Sequence, residues 1–221
     1  MIRYVKEYEK TKPKQHPVGM TSYTQSDNRV MWDSPADWIS PGGMGNTSED
    51  GPFKSDPPAA DGRKVLILDT DHLWGSGGGV DWVWKSFLRG YNPIWMDAYD
   101  GSSGWGPALP RDADPVRRNL GESRRYAARV NLAAMTPHDE LASSRYCLAD
   151  PGREYLVYLP AGGRVTVDLL KAAAAFAVEW FHPQTGETKQ ATPVRGDGPV
   201  ALVSPFRAGD AVVYLQRVVR P

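Results

Sequence analysis

Cysteine is almost missing from this sequence, with Cys147 standing alone. A single thiol excludes an internal disulfide framework and a cysteine-rich zinc site, and its ordinary place is as a small apolar residue in a core. An excess of one charge is missing too, because 26 Lys plus Arg face 26 Asp plus Glu. With no global field, neither nucleic acid nor an anionic membrane is an expected partner. Long hydrophobic runs are the third absence. Residues 1–14 are charged where a secretory signal would be apolar, and no later stretch approaches a membrane span, so a soluble chain is expected. Compartment stays open on these grounds.

Several chemistries are excluded by what the motifs lack. Gly75-Ser76-Gly77-Gly78-Gly79 has neither the lysine of a phosphate loop nor the spacing of a dinucleotide fingerprint. No serine sits in a nucleophile elbow. No paired-histidine spacing accompanies Asp69, Asp71 and His72, so no metal and no cofactor are expected, although oxygen and imidazole ligands suit many divalent ions.

What is present is 41% hydrophobic residues in 221, enough to bury a core. Ile2, Val5 and Tyr8 alternate with Arg3, Lys6, Glu7 and Glu9 as an amphipathic helix without an N-cap, which suggests that the fold begins before Met1. A break at Pro13 precedes a short strand ending at Thr21. Asn28 is placed to cap a short helix through Met31, and Ala36 to Ser40 reads as a second strand. Residues 41–63, rich in Gly, Pro, Asp and Ser, form a long loop that either covers a site or is disordered.

The clearest unit follows. Lys64-Val65-Leu66-Ile67-Leu68 is a strand buried on both faces, Asp69-Thr70-Asp71-His72 is its polar tip, and Val80, Val83, Trp84, Phe87, Leu88 and Tyr91 mark a helix at i, i+3, i+4 spacing. Strand, tip and helix repeat in parallel α/β folds. A further helix starts at Asp114 and Pro115 and runs towards Met135; its arginines form a basic face, read as solvated surface ahead of an anion site. From Leu141 the pattern turns to short strands, at residues 154–159, 164–169, 175–181, 200–203 and 211–215, which predict a small β-sandwich. Alanine-rich residues 171–177 also fit a helix.

In parallel α/β folds, functional groups gather at the carboxyl ends of strands. That rule selects Asp69, Asp71 and His72 as candidate catalytic residues. If the strand continues through Thr70, the two aspartates point to one side about 6 to 7 Å apart, compatible with paired carboxylates on a glycosidic bond; capping a helix or loop amides is the competing role. Asp37 at the second strand and His16 at the start of the first are placed to converge on the same mouth. Trp38 and Trp74 are candidate platforms for a sugar ring, or core residues, and Tyr23 is a further candidate for substrate binding.

His16-Pro17-Val18-Gly19-Met20-Thr21, Ser34-Pro35-Ala36-Asp37-Trp38-Ile39-Ser40-Pro41 and Asp69-Thr70-Asp71-His72-Leu73-Trp74-Gly75 resemble the closing segments of apiosidase-like glycoside hydrolase barrels. Glu179-Trp180-Phe181-His182-Pro183-Gln184-Thr185-Gly186-Glu187 resembles the collagen-binding type of β-sandwich that follows them. The resemblance implies a partial (β/α) barrel over residues 1–140, holding the sixth to eighth strands, and a β-sandwich over residues 141–221. It implies hydrolysis of a plant or microbial oligo- or polysaccharide, and secreted or periplasmic longer relatives. Related retaining barrels place a glutamate nucleophile at the seventh strand and an acid/base carboxylate at the fourth; this chain has Asp37 and no glutamate at the first position, and the fourth strand would precede Met1. A cut barrel exposes strand edges and an apolar interior, so a homo-oligomer is expected. The rival reading is a noncatalytic carbohydrate- or collagen-binding module, and a third is an inactive piece of a longer glycosidase.

Overall fold

The computed structural model describes residues 1–43, 52–73, 79–96, 114–170 and 172–218. The chain divides into two compact units, Met1–Gly78 with Tyr91–Ala113, and Gly79–Gly90 with Asp114–Pro221. This differs from a single cut at residue 140, because two helices before that point pack with the antiparallel strands.

The first unit holds α1 (Ile2–Glu9), β1 (Gly19–Thr21), α2 (Asn28–Asp33), β2 (Trp38–Ser40), α3 (Pro52–Ser55), β3 (Val65–Asp69), α4 (Thr70–Leu73) and, after the excursion into the second unit, a fourth strand, Tyr91–Ile94. All neighbouring strands pair in parallel, in the order of the sequence. Four strands therefore replace the three expected. Tyr91, assigned above to the helical stripe, starts the last one, because Gly90 adopts φ 84 and turns the chain out of the helix.

The pleat gives this sheet two unlike faces. Ile39, Leu66, Leu68 and Tyr91 are buried, and Phe53 of α3 packs edge-on against the Tyr91 ring. On the opposite face, Val65 is 56% and Ile94 37% exposed. The expectation that β3 is buried on both faces is thus met on one. Asn28 does not cap α2; its side chain donates to the Gly42 carbonyl and accepts from the Gly42 amide, each at 2.9 Å, tying the chain after β2 to the helix.

The second unit begins with α5 (Val80–Leu88), which precedes the strand just described, here β4. It continues with α6 (Asp114–Arg129), β5 (Thr136–Pro137), β6 (Cys147–Asp150), β7 (Glu154–Leu159), β8 (Arg164–Asp168), β9 (Ala175–Phe181), β10 (Thr188–Arg195), β11 (Pro199–Val203) and β12 (Ala211–Arg217). Six strands form an antiparallel sheet in the order β10-β9-β12-β7-β6-β5, and β11 pairs with β8. The alanine-rich segment yields strand from Ala175, since Phe176, Val178 and Trp180 alternate into a core. Pro193 lies where β10 slips register against β9, and β10 is an edge strand, where the missing proline N–H costs least.

Alternation splits each central strand between two cores. Tyr155, Val157, Val178 and Val213 meet Val165, Val167 and Leu202 of the two-stranded sheet. Leu156, Tyr158, Phe181 and Tyr214 face the other way, against Trp84, Phe87, Leu88 and Tyr126 of α5 and α6. Trp84 is fully buried with its indole N–H donating to Asn119 Oδ1 at 2.8 Å, and Asn119 in turn donates to the Pro183 carbonyl at 2.9 Å. Burying such a ring contributes about 4 to 6 kcal/mol by area. Cys147 is fully buried between these strands, and burial pushes its thiol far above the ordinary range. Among the described residues no helix is long and apolar enough to cross a membrane.

Candidate functional site

β3 ends sooner than its sequence suggests. Asp69 closes the strand and Thr70–Leu73 forms a helical turn, so Asp69 and Asp71 are not related by strand pleat. The cause is local: Thr70 and Leu73 are both fully buried, and the Thr70 hydroxyl accepts the Met96 N–H at 3.0 Å, which curls the chain at the sheet's rim. The turn still brings the acidic groups together. One ligand atom each from Asp69, Asp71 and His72 lies within 4.8 Å of the others.

The environment of each differs. Asp69 is buried, whereas the Asp71 side chain is 45% and the His72 side chain 21% exposed. The Asp71 N–H reaches Asp69 Oδ1 at 3.4 Å, a long contact, and Asp71 Oδ1 lies 3.6 Å from His72 Nε2 without a hydrogen-bond partner among the described residues. His72 Nδ1 pairs with Thr21 Oγ1 at 2.8 Å, and the His72 carbonyl accepts the Gly43 N–H at 3.0 Å. The imidazole is thus fixed between the carboxyl ends of β3 and β1. Ser40, the last residue of β2 and the register partner of Thr21, is buried, and its hydroxyl has no hydrogen-bond partner among the described residues.

Two carboxylates and an imidazole at this spacing can exchange a proton with a bound substrate. The same donors could hold a divalent cation through three protein ligands, with the remaining positions supplied by water or substrate.

Asp37 and His16 do not reach this mouth. Asp37 precedes β2 and His16 precedes β1, at the amino ends of strands whose carboxyl ends carry the acidic group. Asp37 accepts hydrogen bonds from Lys6 Nζ and from the Val18 N–H at 2.9 Å, and its own N–H donates to the Val18 carbonyl at 2.8 Å. The Lys6 ammonium, together with the Val18 amide, holds the Asp37 carboxyl below its usual range. His16 is occupied by Glu9, with Nδ1 at 2.8 Å from Oε1. Both residues are structural clamps between α1 and the first strands. Trp38 also starts at the amino edge, and its indole lies over Gly19, where an added Cβ would stand 1.8 Å from the ring. Tyr23 follows β1 on the carboxyl side and is 62% exposed. Trp74, the glycine-rich turn at 75–78 and residues 44–51 of the long loop lie outside the described residues; within that loop Pro52–Ser55 is helical.

Thr21 and Ser40 escaped the sequence reading. The strand-end rule that selected Asp69 applies equally to the last residues of the first two strands, but hydroxyl groups there carry no signal until the register is known.

Residues 135–216 match a family model described as "Putative collagen-binding domain of a collagenase". No curated protein sequence matches the chain. A solved structure described as "Glycoside hydrolase" aligns with 91% of this chain at a TM-score of 0.63 and 14% identity. A glycoside hydrolase family 5 structure from Bacteroides vulgatus aligns with 97% at 0.60 and 13% identity. The chain spans 57% and 66% of the lengths of these two neighbours. Its mixed arrangement of helices and sheets therefore resembles glycoside hydrolase structures, at identities that speak to fold.

Proposed function

We propose that the first unit is the carboxyl-terminal part of a (β/α) barrel, that the second is a β-sandwich, and that the acidic site of the first cleaves glycosidic bonds of an oligo- or polysaccharide. The observation that carries this reading is the convergence of Asp69, Asp71 and His72 at the carboxyl edge of a parallel sheet, where such folds place their chemistry. With four strands, the segment corresponds to the fifth to eighth strands of the barrel. Asp69 then moves from the eighth strand to the seventh, the nucleophile position in the apiosidase-like resemblance.

One carboxyl group of the pair gives its proton to the glycosidic oxygen, and the other carboxylate attacks the anomeric carbon as the bond breaks. Water then releases the sugar, with the first group taking up its proton. Ligand atoms within 4.8 Å suit this double displacement better than the wider separation that admits a water between the carboxyl groups. His72, pinned by Thr21, holds its Nε2 3.6 Å from Asp71 Oδ1. Assay of aryl glycosides and soluble glucans is expected to show a loss of about 10²- to 10⁴-fold in turnover for Asp69→Asn and Asp71→Asn, with Asp37→Asn active. Undiminished turnover in both site variants would sink the assignment.

The match over residues 135–216 favours a second reading, in which the second unit is a noncatalytic carbohydrate- or collagen-binding module. It predicts saturable binding without turnover.

A further inference from the structure

We propose that the second unit carries a binding groove for an anionic glycan, at the ends of its central strands. A cavity of about 760 Å³ is lined by Arg153, Glu154, Ala173, Arg195, Gln216 and Arg217, among others. Its position follows from sheet order. β10 ends at Arg195, β9 begins at Ala175, β12 ends at Arg217 and β7 begins at Glu154, and these four strands are neighbours in that sequence. Arg195 pairs with Ala175, Arg217 with Phe176, and the Arg217 N–H donates to the Arg153 carbonyl at 2.8 Å. Arg153, Arg195 and Arg217 therefore border one cavity at the strand ends, and Arg195 and Arg217 leave the sheet on opposite faces, since their partners Ala175 and Phe176 are consecutive residues. With strands about 4.8 Å apart, the backbones of Arg195 and Arg217 lie about 10 Å from each other, a length that linked sugar rings span.

The arginines are available to a ligand. Arg195 bonds Asp197 at 2.9 Å and Arg153 lies 3.9 Å from Asp150, with the arginine side chains 79% and 71% exposed. Exposed pairs of this kind contribute little and exchange readily. Arg217 has no ion-pair partner among the described residues. A guanidinium fork binds carboxylate or sulfate through two parallel hydrogen bonds, so a cavity bordered by three arginines suits a chain that carries more than one anionic group.

The groove wall is also held in an uncommon conformation. Ala173 adopts φ 49, a region that side chains other than glycine rarely occupy. Ala173 is kept there by its N–H to the Gly196 carbonyl at 3.1 Å and by the Gly196 N–H to Ala174 at 2.8 Å. Glycine at position 196 is required, because a Cβ would stand 2.6 Å from the Phe176 ring. Such strain persists where the surrounding structure over-determines a shape, here the Ala173 side of the cavity.

A glycan suits the groove better than an acidic peptide. The inner strands β9, β12 and β7 offer no free edge to which a peptide could add its main chain, while Glu154 and Gln216 supply acceptors and an amide for hydroxyl groups. The proposal stands apart from the glycosidase reading, because it concerns binding by the other unit and is read without turnover.

The test uses the full chain in isothermal titration with polygalacturonate, heparin, neutral dextran and poly-L-glutamate. Polygalacturonate or heparin is expected to bind, more weakly as salt rises, and dextran is not. The tighter of the two assigns the groove to carboxylate or to sulfate. The variant pair Arg195→Gln with Arg217→Gln should weaken binding at least tenfold at an unchanged unfolding midpoint, and Arg217→Lys should fall between. If the double variant does not fold, the single glutamine variants serve, each expected to weaken binding. Absence of binding to both polyanions, equal affinity for dextran or polyglutamate, or affinity unchanged in folded variants would overturn the proposal.

Discussion

Gly19 and Trp38 are register partners on β1 and β2, and the indole of one occupies the space a side chain on the other would need. The ring atoms nearest an added Cβ belong to the rigid fused system, at 1.8 to 2.3 Å, so relief requires moving the whole indole. Gly19→Ala is expected to destabilise the protein by about 1 to 3 kcal/mol through overpacking. In a thermal unfolding series, Trp38→Ala in the Gly19→Ala background should recover part of that loss, the coupling expected of residues in contact. Independent, additive losses would show that Trp38 does not pack on Gly19 in solution and would reopen its role as a sugar platform.

At the scale of elements, α6 is joined to β9 by a charge pair that the sequence presents as surface. Arg129 grips Glu179 through both guanidinium nitrogens, at 2.5 and 2.9 Å, Tyr126 and Gln190 donate to the same carboxylate, and the guanidinium lies 4.7 Å over the Tyr214 ring. Burial pushes Glu179 up, but the hydrogen bond and charge of Arg129 outweigh it and leave the carboxyl below its usual range. A depressed folded value means that the stabilisation is present in full above the ordinary glutamate range and is lost as pH falls through the folded value. Glu179→Gln should therefore cost about 1 to 2 kcal/mol at neutral pH, discounted for the 43% exposure of Arg129. The difference from wild type should vanish in acid. Asp210 has the opposite sign: burial raises its carboxyl despite the Tyr158 hydroxyl at 2.9 Å, so its contribution declines as pH rises from the ordinary aspartate range to the folded value. Asp210→Asn, unlike Glu179→Gln, is expected to hold or raise the unfolding midpoint at neutral pH. Two parallel pH profiles would contradict both assignments.

For the whole molecule, the open question is the exposed face of the parallel sheet. Parallel sheets are ordinarily covered on both sides, yet Val65 and Ile94 remain exposed on one face while Leu66, Leu68 and Ile39 are sealed on the other. We propose that further copies of the chain cover this face as a homo-oligomer. Light scattering coupled to size exclusion should then return a mass above one chain, and Val65→Lys with Ile94→Lys should shift it towards the monomer. A clean monomer for the wild type at micromolar concentration would count against that proposal.

Much of the element content was written in local pattern. The apolar runs Val65 to Leu68 and Tyr155 to Leu159 each announce a strand because each depends on neighbouring residues alone. Tyr91 shows where that stops: it continues a helical stripe in sequence, and only the turn at Gly90 and the parallel register with Leu66 make it a strand. The acidic group was similarly half legible. Asp69, Asp71 and His72 are adjacent in the chain and were bound to be close. Asp37 and His16 share their chemistry but flank the amino ends of the strands, and strand direction is invisible until the strands pair. The sequence alone determined most of the helices and strands and that an acidic tip follows β3, since those are local consequences of periodicity. Tertiary structure decided that Thr21 fixes His72, that Asp37 serves Lys6, and that three arginines distant in the chain border one cavity. Those facts arise from register between segments tens of residues apart, which side-chain type does not encode.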